Sequence, residues 1–368
     1  MLRMQVIYRI HSDAASINAR AEALAVEQSI EMPPAAVRDA RVSREVLGQV
    51  NAITAEASGA AYRVTLDLAL ETTGFEAGQM MNMLFGNSSL HPDIELIGLD
   101  LPDEAAARFG GPRHGIAGLR QALGANQRAL TCTALKPQGS TIADLAHLAT
   151  GFAGAGIDVI KDDHGLVDQA SAPFHERVPA IQAAITRANA ARNTTTLYAP
   201  TLNGGPQRMQ SQIECARAAG VRAVLVTPMV SGCGVLQELA AEGEFIVLAH
   251  PALAGAGRIK SDLLFGTLFR LFGADAVIYP HYGGRFSPSR STCHTIAERL
   301  RAPLGTLSAA MPVPAGGLQP TQVADALECY GRDVMLLIGG ALLETADPAR
   351  AAHTFVAQVY ERSRAHGT

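Results

Sequence analysis

Short apolar runs recur along the 368-residue chain, and the rhythm of these runs changes near residue 115. Before that point the pattern predicts three strands and two helices: residues 4–10, 62–70 and 94–101 for the strands, and residues 15–26 and 74–85 for the helices. Strands and helices mixed in this way are typical of an α+β sheet domain. We therefore predict an N-terminal α+β domain at residues 1–115, ending in a Gly- and Pro-rich linker at residues 108–120.

From Leu130 onward, eight apolar runs alternate with stretches of helical composition. The runs are ALTCTAL, GIDVI, TTTLYA, RAVLVTP, FIVLAH, DAVIYP, AAMPVP and VMLLIGG. Eight regular βα units are what a (β/α)8 barrel requires. The alternative is a doubly wound open sheet, but no Gly-rich dinucleotide fingerprint follows the first run. We predict an α/β fold in which residues 116–368 form a (β/α)8 TIM barrel that carries the catalytic groups.

Polar residues follow the predicted barrel strands, where such a barrel places its chemistry. The densest group is Lys161, Asp162, Asp163 and His164, at the end of GIDVIKDDH. These side chains cannot be buried without partners, and an Asp and a His at a strand end are suitable metal ligands. A desolvated lysine beside them can act as a base or be chemically modified. The alternative is a solvated loop of mixed charge.

Other candidates follow the remaining strands. Lys136, held at the end of the first run by Pro137, is predicted to stabilise an enolate or to act as acid and base, unless it is a surface lysine. His250 and His281 also stand at strand ends, where the alternative is a core or capping histidine. Arg285 lies in a Gly-Gly loop that can fold over an anion.

Two glycine pairs follow the seventh and eighth runs, in the region where TIM barrels bind phosphate. They are Gly316-Gly317 and Gly339-Gly340. Glycines allow backbone N–H groups to approach an oxyanion, and the helix that follows points its positive end towards it. We therefore predict a phosphate site, although turn packing alone accounts for many Gly-Gly pairs.

Composition narrows the function classes. The net charge of −4 and the absence of a basic run argue against binding to nucleic acid or to a membrane surface. Five cysteines stand singly, which fits a reducing compartment. The N-terminus lacks the features of a signal peptide, and no apolar stretch reaches the length of a membrane span. We expect a cytoplasmic protein.

These residues carry a resemblance to RuBisCO. GIDVIKDDH resembles the RuBisCO segment ending Lys-Asp-Asp-Glu, whose lysine is carbamylated and holds Mg²⁺ with the second aspartate and the glutamate. The resemblance implies that CO2 forms a carbamate on Lys161, that Asp163 is a ligand, and that His164 replaces the glutamate. ALKP resembles the segment whose lysine handles the enolisation proton, which implies that role for Lys136.

The resemblance extends to the rest of the chain. The glycine pairs resemble the phosphate glycines, and GPRHGIAGLR resembles the segment entering the barrel. Residues 21–29 resemble the stretch whose glutamate, here Glu27, reaches the active site of the neighbouring subunit. This implies a homodimer or a larger homo-oligomer with shared sites. An asparagine expected near residues 83–86 is displaced, with Asn82 and Asn87 as alternatives.

Three departures from RuBisCO bear on function. Pro251 stands where RuBisCO has an arginine that binds the second phosphate of the substrate, and Ala315 replaces a substrate-binding serine. The loop that begins at Gly316 also shows no lysine where RuBisCO carries one that orients CO2. These departures imply a RuBisCO-like protein (form IV) that does not fix CO2 and acts on a singly phosphorylated sugar derivative. One Mg²⁺ per site would be held by carbamylated Lys161, by Asp163, and by His164 or Asp162. His164 is either a ligand or an acid/base.

The leading expectation for the substrate is 3-oxo-isoapionate 4-phosphate, acted on by a decarboxylase or a transcarboxylase/hydrolase, because the KDDH variant resembles proteins of apionate breakdown. The alternatives are methionine salvage, as a 2,3-diketo-5-methylthiopentyl-1-phosphate enolase or a methylthioribulose-1-phosphate isomerase, and a catalytically inactive regulatory member. The joint presence of Lys136, Lys161, Asp163 and both glycine pairs argues against inactivity.

Overall fold

A four-stranded antiparallel sheet organises the N-terminal part of the protein, whose computed structural model describes residues 1–57, 59–286 and 288–365. The sheet order is β2-β3-β1-β4, and its strands are β1 (Arg3–His11), β2 (Gln49–Ala55), β3 (Ala61–Ala69) and β4 (Ile94–Asp100). The three strands predicted from the sequence are confirmed. The prediction omitted β2, an edge strand that buries none of its residues and therefore shows no apolar alternation.

Strand alternation gives the sheet one buried face. Met4, Val6, Tyr8 and Ile10 of β1 are buried, and the residues between them lie on the more open face. The two main helices of this part are α1 (Ile17–Glu27) and α2 (Ala77–Phe85). Shorter helical segments complete it: Pro34–Ala36, Val42–Val46, Leu70–Thr73, Asn87–Leu90 and α3 (Asp103–Arg108).

Eight parallel strands then form the barrel. They are β5 (Leu130–Leu135), β6 (Val159–Asp162), β7 (Leu197–Ala199), β8 (Ala223–Val226), β9 (Ile246–Ala249), β10 (Ala276–Pro280), β11 (Met311–Ala315) and β12 (Met335–Leu337). Each overlaps one of the eight predicted apolar runs, although β6 extends two residues beyond GIDVI and β11 one residue beyond AAMPVP. The strands pair in two groups of four, in the orders β12-β5-β6-β7 and β8-β9-β10-β11. A bridge between Thr201 and Leu225 joins the groups on one side, and the contact of β11 with β12 joins them on the other. The predicted (β/α)8 barrel is confirmed.

Helices surround these strands and close one end of the barrel. They are α4 (Gly115–Leu123), α5 (Ile142–Ala155), α6 (Phe174–Arg192), α7 (Pro206–Ala218), α8 (Pro228–Ser231), α9 (Cys233–Glu242), α10 (Ser261–Leu263), α11 (Phe269–Leu271), α12 (Arg290–Arg301), α13 (Val323–Tyr330), α14 (Gly340–Leu343) and α15 (Pro348–Ala365). Helical turns at Ala254–Ala256, Leu264–Leu268 and Pro320–Gln322 complete the set. Within the described ranges, no helix is long and apolar enough to cross a membrane.

The segment predicted as a linker is part of the folded barrel. Leu119 and Leu123 of α4 pack into the apolar cluster formed by the inward-facing strand residues. The buried carboxylate of Asp275 fixes this segment, because it accepts hydrogen bonds from the backbone N–H groups of His114 (2.7 Å) and Gly115 (2.6 Å). The N-terminal end of the barrel is therefore plugged, and the mouth lies at the carboxyl ends of the strands.

Backbone pairing also joins the sheet to the barrel. The N–H of Leu96 in β4 donates to the carbonyl of Arg258 at 2.9 Å, and the N–H of Lys260 donates to the carbonyl of Leu96 at 2.9 Å. Residues 258–260 therefore act as a short parallel partner of β4. Since this segment follows the loop of His250 in the chain, the sheet is attached to the same connection that carries a candidate site residue.

Candidate functional site

Strand β6 divides its residues between the barrel axis and the helical layer. Val159 packs in the apolar cluster inside the barrel, whereas Ile160 packs in the cluster between the barrel and its helices. Side chains alternate along a strand, so Lys161 points inward like Val159, and Asp162 points outward like Ile160. Asp163 follows the end of the strand and lies on the same side as Lys161. The two adjacent aspartates thus have different surroundings.

Asp162 is held by an extensive set of partners in the helical layer. Its carboxylate pairs with the guanidinium of Arg177 in α6 at 3.0 Å, and both side chains are 0% exposed. The hydroxyl of Tyr198 donates to it at 2.8 Å, and the backbone N–H of Thr201 donates at 3.2 Å. Burial alone would lower the pKa of Arg177, but the nearby Asp162 outweighs it and raises that pKa, which keeps the guanidinium charged. These contacts leave Asp162 turned away from the mouth.

Lys161 is an amine buried inside the barrel. Its side chain is 3% exposed, and its Nζ donates to the carbonyl oxygen of Asp162 at 2.8 Å. Burial lowers the pKa of Lys161, only partly offset by nearby Cys132 and Asp163. A lowered pKa favours the neutral amine, and this is the form that reacts as a nucleophile.

Asp163 is the carboxylate of the mouth. Its side chain forms an ion pair with the Nζ of Lys136, and it accepts a hydrogen bond from the N–H of Gly165 at 3.0 Å. Burial would raise the pKa of Asp163, but Lys136, Gly165 and Lys161 together hold it well below its usual range. The Nδ1 of His164 lies 3.3 Å from Oδ1, the oxygen that also accepts from Gly165, whereas Lys136 pairs with Oδ2. Asp163 is therefore ionised and in contact with two other candidate residues, Lys136 and His164.

Two histidines stack beside this carboxylate. The rings of His164 and His250 lie 4.3 Å apart with an interplanar angle of 11°. Burial, followed by the nearby Lys161, lowers the pKa of His250 to about 2, so this ring is neutral at neutral pH. Its Nδ1 accepts a hydrogen bond from the N–H of Ala252 at 3.1 Å, which places the ring proton on Nε2. Burial also lowers the pKa of His164, although Asp163 partly opposes this effect.

Lys136 connects the carboxylate to one glycine pair. A Cβ placed on Gly339 would lie 4.0 Å from the Cε of Lys136, so the lysine stem passes over this glycine at ordinary contact distance. Gly339 immediately precedes α14, whose first residue is Gly340. One ammonium group therefore lies between Asp163 and a predicted phosphate-binding loop.

The second glycine pair packs against the loop after β10. Gly316 accepts a hydrogen bond from the N–H of Arg285 at 2.8 Å. A Cβ on Gly317 would come within 2.7 Å of the Arg285 nitrogen, so only glycine fits there. The ring of Phe286 covers Gly316. Burial is the main cause that lowers the pKa of His164, and the positive charge of Arg285 is a smaller cause in the same direction.

Two predicted residues lie apart from this cluster. His281 is fully buried, and its Nδ1 lies 2.9 Å from the hydroxyl of Tyr330 in the helical layer. Burial lowers the pKa of His281 to about 4. Glu27 lies at the end of α1 in the sheet domain, where Asn87 donates to it at 2.9 Å and to Glu31 at 3.0 Å. Of the two alternatives for the displaced asparagine, Asn87 contacts Glu27, whereas Asn82 donates to Gln79 at 3.4 Å.

Two residues that support the site were not among the predicted ones. Arg177 stands at helical spacing from Phe174, Val178 and Ile181 on the buried face of α6. A charged residue at an apolar position of an amphipathic helix indicates a buried ionic partner. Thr201 was missed as well, and its hydroxyl donates to the carbonyl oxygen of Asp163 at 3.0 Å. No sequence pattern indicated Thr201.

The donor set at the mouth fits a divalent cation under one condition. In the part of the chain that the structure describes, no three His, Cys, Asp or Glu side chains cluster as metal ligands. Asp163 and His164 supply two donors, and the amine of Lys161 becomes an anionic oxygen donor only as a carbamate. Mg²⁺ prefers oxygen ligands and retains several waters. The residues therefore fit a Mg²⁺ site that depends on modification of Lys161.

Comparison with known proteins shows the same architecture and related sequences. Residues 115–365 match the catalytic domain of the ribulose bisphosphate carboxylase large chain. The chain is similar to a protein of Rhodopseudomonas palustris named ribulose bisphosphate carboxylase-like protein 1, with 48% identity over 97% of each chain. A RuBisCO-like protein structure from the same organism superimposes with a TM-score of 0.91 at 46% identity, covering 98% of each chain.

Two further relatives carry the names of enzymes. The 5-methylthioribulose-1-phosphate isomerase of Rhodospirillum rubrum is 47% identical over 94% of this chain and 92% of its own. The 2,3-diketo-5-methylthiopentyl-1-phosphate enolase of Geobacillus kaustophilus is 30% identical over 93% of this chain and 88% of its own. A dimeric archaeal RuBisCO from Hyperthermus butylicus shares the fold, with a TM-score of 0.88 at 20% identity over 99% of this chain and 91% of its own.

We predict that Arg177→Met destabilises the protein by about 3–5 kcal/mol, because it leaves the Asp162 carboxylate buried without its cation. The measurement is the urea midpoint of unfolding. Arg187→Met, an exposed position on the same helix, is the matched control and should change stability by less than about 0.5 kcal/mol. Adding Asp162→Asn to Arg177→Met should restore part of the lost stability. Equal midpoints for the two single variants would contradict the structural role given to the pair.

Proposed function

Because the chain belongs to the RuBisCO large-chain family, as a RuBisCO-like protein, we propose that it is a methionine-salvage isomerase acting on 5-methylthioribulose 1-phosphate. The observation that carries the proposal is the position of Lys136, between the Asp163 carboxylate and the Gly339 loop. A substrate whose phosphate lies on the glycines and whose keto group lies at Asp163 would present the carbons that flank the keto group to this lysine. Isomerisation of such a keto-sugar moves a proton from C3 to C2, and the C3 hydroxyl gives its proton to the C2 oxygen as the keto group passes from C2 to C3.

Different residues of the chain have different roles in this reaction. Gly316-Gly317 and Gly339-Gly340 bind the single phosphate through backbone N–H groups. Lys136 transfers the proton, with the carbamate of Lys161 as the alternative base. The neutral His250 donates a hydrogen bond from Nε2 to a substrate oxygen. Arg285 supplies a second positive charge at the rim.

Mg²⁺ would be held by Asp163, by His164 and by carbamylated Lys161. A divalent cation at this position supplies stabilisation of the negative charge that develops on substrate oxygens when the proton leaves. His164 as an acid/base remains the alternative to His164 as a ligand. Asp162 has no place in this set, because Arg177, Tyr198 and Thr201 occupy its carboxylate.

The relatives' names favour a methylthio substrate over 3-oxo-isoapionate 4-phosphate, the leading expectation from the sequence. The second candidate function is 2,3-diketo-5-methylthiopentyl-1-phosphate enolase, since relatives of that name share the family at lower identity. The same residues suit it, because enolisation is the removal step of the isomerisation without the return of the proton to a neighbouring carbon. Product analysis separates the candidates.

A second copy of the chain completes the site in this proposal. Glu27 and Glu31, both held by Asn87, lie on the sheet domain beside Met32 (41% exposed) and Leu90 (82% exposed). At the barrel rim, large exposed apolar residues follow three successive strands: Val230 (49%), Leu253 (60%) and Phe286 (53%). Apolar surface of this kind is typical of protein–protein contacts. A two-fold dimer would place the Glu27 surface of each copy over the mouth of the other.

The first prediction concerns the carbamate. The chain has only three lysines, so a ¹³C NMR spectrum in ¹³C-bicarbonate should show a carbamate signal that is readily assigned. We expect Mg²⁺ to strengthen this signal and Lys161→Arg to abolish both the signal and the isomerase activity. Lys260→Arg is the control for the NMR signal and should retain it. A signal that persists in Lys161→Arg would overturn the carbamate, and activity that persists would overturn its catalytic role.

The second prediction concerns the reaction. In D2O with Mg²⁺ and bicarbonate, NMR should show isomerisation of 5-methylthioribulose 1-phosphate with deuterium entering the carbons beside the keto group. Lys136→Arg retains a cation for Asp163 but cannot lose its proton, so kcat should fall about 10²–10⁴-fold with the fold intact. Turnover of only the diketo phosphate would identify the enolase. Release of CO2 from 3-oxo-isoapionate 4-phosphate alone would restore the sugar-acid assignment.

The third prediction concerns the shared site. Glu27→Gln and Lys161→Ala should each be nearly inactive when purified alone. If subunits exchange at random, half of the dimers are mixed and each contains one intact site, so about a quarter of the native activity should return. The control is a mixture of Lys136→Met with Lys161→Ala, which places both changes in the same barrel and should not recover activity. Full activity of Glu27→Gln would contradict a role for this residue.

A further inference from the structure

A cavity of about 480 Å³ lies between the N-terminal sheet and the barrel, away from the mouth. One wall is the open face of β1, β3 and β4, and the other is formed by Lys260, residues 266–267 and the end of α12. Its size is within the range of small-molecule sites. None of the residues assigned to the candidate active site lines it.

The sheet wall carries two arginines in an unfavourable arrangement. Arg9 of β1 and Arg63 of β3 are directly opposite each other in the antiparallel ladder, and both line the cavity. Like charges at opposed positions destabilise a sheet. The charge of Arg9 is balanced by ion pairs with Glu56 and Glu95, each with 2.9 Å between nitrogen and oxygen. Arg63 forms no ion pair in the described part of the chain, so its charge is available to a ligand.

The barrel wall adds two more cations that share one anion. Lys260 and Arg299 both pair with the same oxygen of Asp262, at 3.3 and 3.1 Å. Asp262 is 2% exposed and does not line the cavity, whereas both cations do. Asp100 is the one carboxylate among the lining residues. Four cationic side chains from two separate parts of the fold therefore converge on one space.

The floor of the cavity is apolar and closely packed. Ile7, Leu99 and Leu304 line it together with Gly98 and Gly266. A Cβ on Gly98 would come within 2.9 Å of the Ile7 side chain, so the strand backbone itself forms the wall at this point. An occupant would meet apolar surface on its body and positive charge at its end.

We propose that this cavity binds a small organic anion, with one carboxylate or phosphate monoester group held by Arg63, Arg299 and Lys260 and an apolar body resting on Leu99 and Leu304. The ligand would bridge the sheet domain and the barrel, beside the backbone pairing of Leu96 with residues 258–260. The proposal is independent of the reaction catalysed at the barrel mouth.

The absence of tryptophan from the chain permits a site-specific test. Leu304→Trp places a single fluorophore on the barrel side of the cavity, and Leu99→Trp places one on the sheet side. Each reporter is titrated with phenyl phosphate, benzoate and neutral benzyl alcohol. We expect saturable fluorescence changes with phenyl phosphate, benzoate or both in either folded reporter, and none with benzyl alcohol. A response to only one of the two anions identifies which head group the cavity prefers.

The charge requirement is tested by substitution on the reporter background. Arg63→Gln should weaken binding of the anion by about fivefold, the effect of losing one partly exposed charge contact. Arg187→Gln on the outer face of α6 is the matched control and should leave the dissociation constant unchanged. The proposal is overturned if neither anion gives a saturable change in either reporter, if benzyl alcohol binds as well as the anions, or if Arg63→Gln and Arg187→Gln behave alike.

Discussion

The buried ion pair between Asp162 and Arg177 is the interaction on which the arrangement of the mouth depends. It ties the end of β6 to α6 inside a layer where both charges are fully buried. A buried pair of this kind gives little net stability compared with apolar packing, but the loss of one partner is costly. Its main consequence is positional. With Asp162 fixed outward, the alternation of the strand directs Lys161 inward and leaves Asp163 at the mouth.

The charges of the residues at the mouth balance one another. Asp163 is neutralised by Lys136, whereas Lys161 is buried and its lowered pKa favours the uncharged amine. In the proposed function three events are coupled. Formation of a carbamate would introduce a negative charge, a divalent cation would compensate it, and competition for Asp163 would release Lys136 towards the substrate. In this proposal the ion pair with Asp163 is the contact that holds Lys136 at the mouth.

Much of the fold followed from the apolar pattern, because all eight barrel strands are buried and flanked by helical stretches. The edge strand β2 was not predicted, because none of its residues is buried. At the site, the cluster of Lys136, Lys161, Asp163, His164 and His250 was predicted from strand ends, and the structure brings these residues together. The different roles of Asp162 and Asp163 were within reach of the sequence, since alternation along GIDVIKDDH places Lys161 and Asp162 on opposite sides. The contact of His281 with Tyr330 depends on tertiary packing that no local pattern encodes.

The central claim, that the two adjacent aspartates have separate tasks, is tested most directly by Mg²⁺ binding to Asp162→Asn and Asp163→Asn, measured by calorimetry in bicarbonate. Both substitutions remove one charge from the same dipeptide, so each is the control for the other. We expect Asp163→Asn to lose Mg²⁺ binding while its unfolding midpoint changes little, and Asp162→Asn to retain binding with a lowered midpoint. Loss of binding in Asp162→Asn with retention in Asp163→Asn would contradict the account.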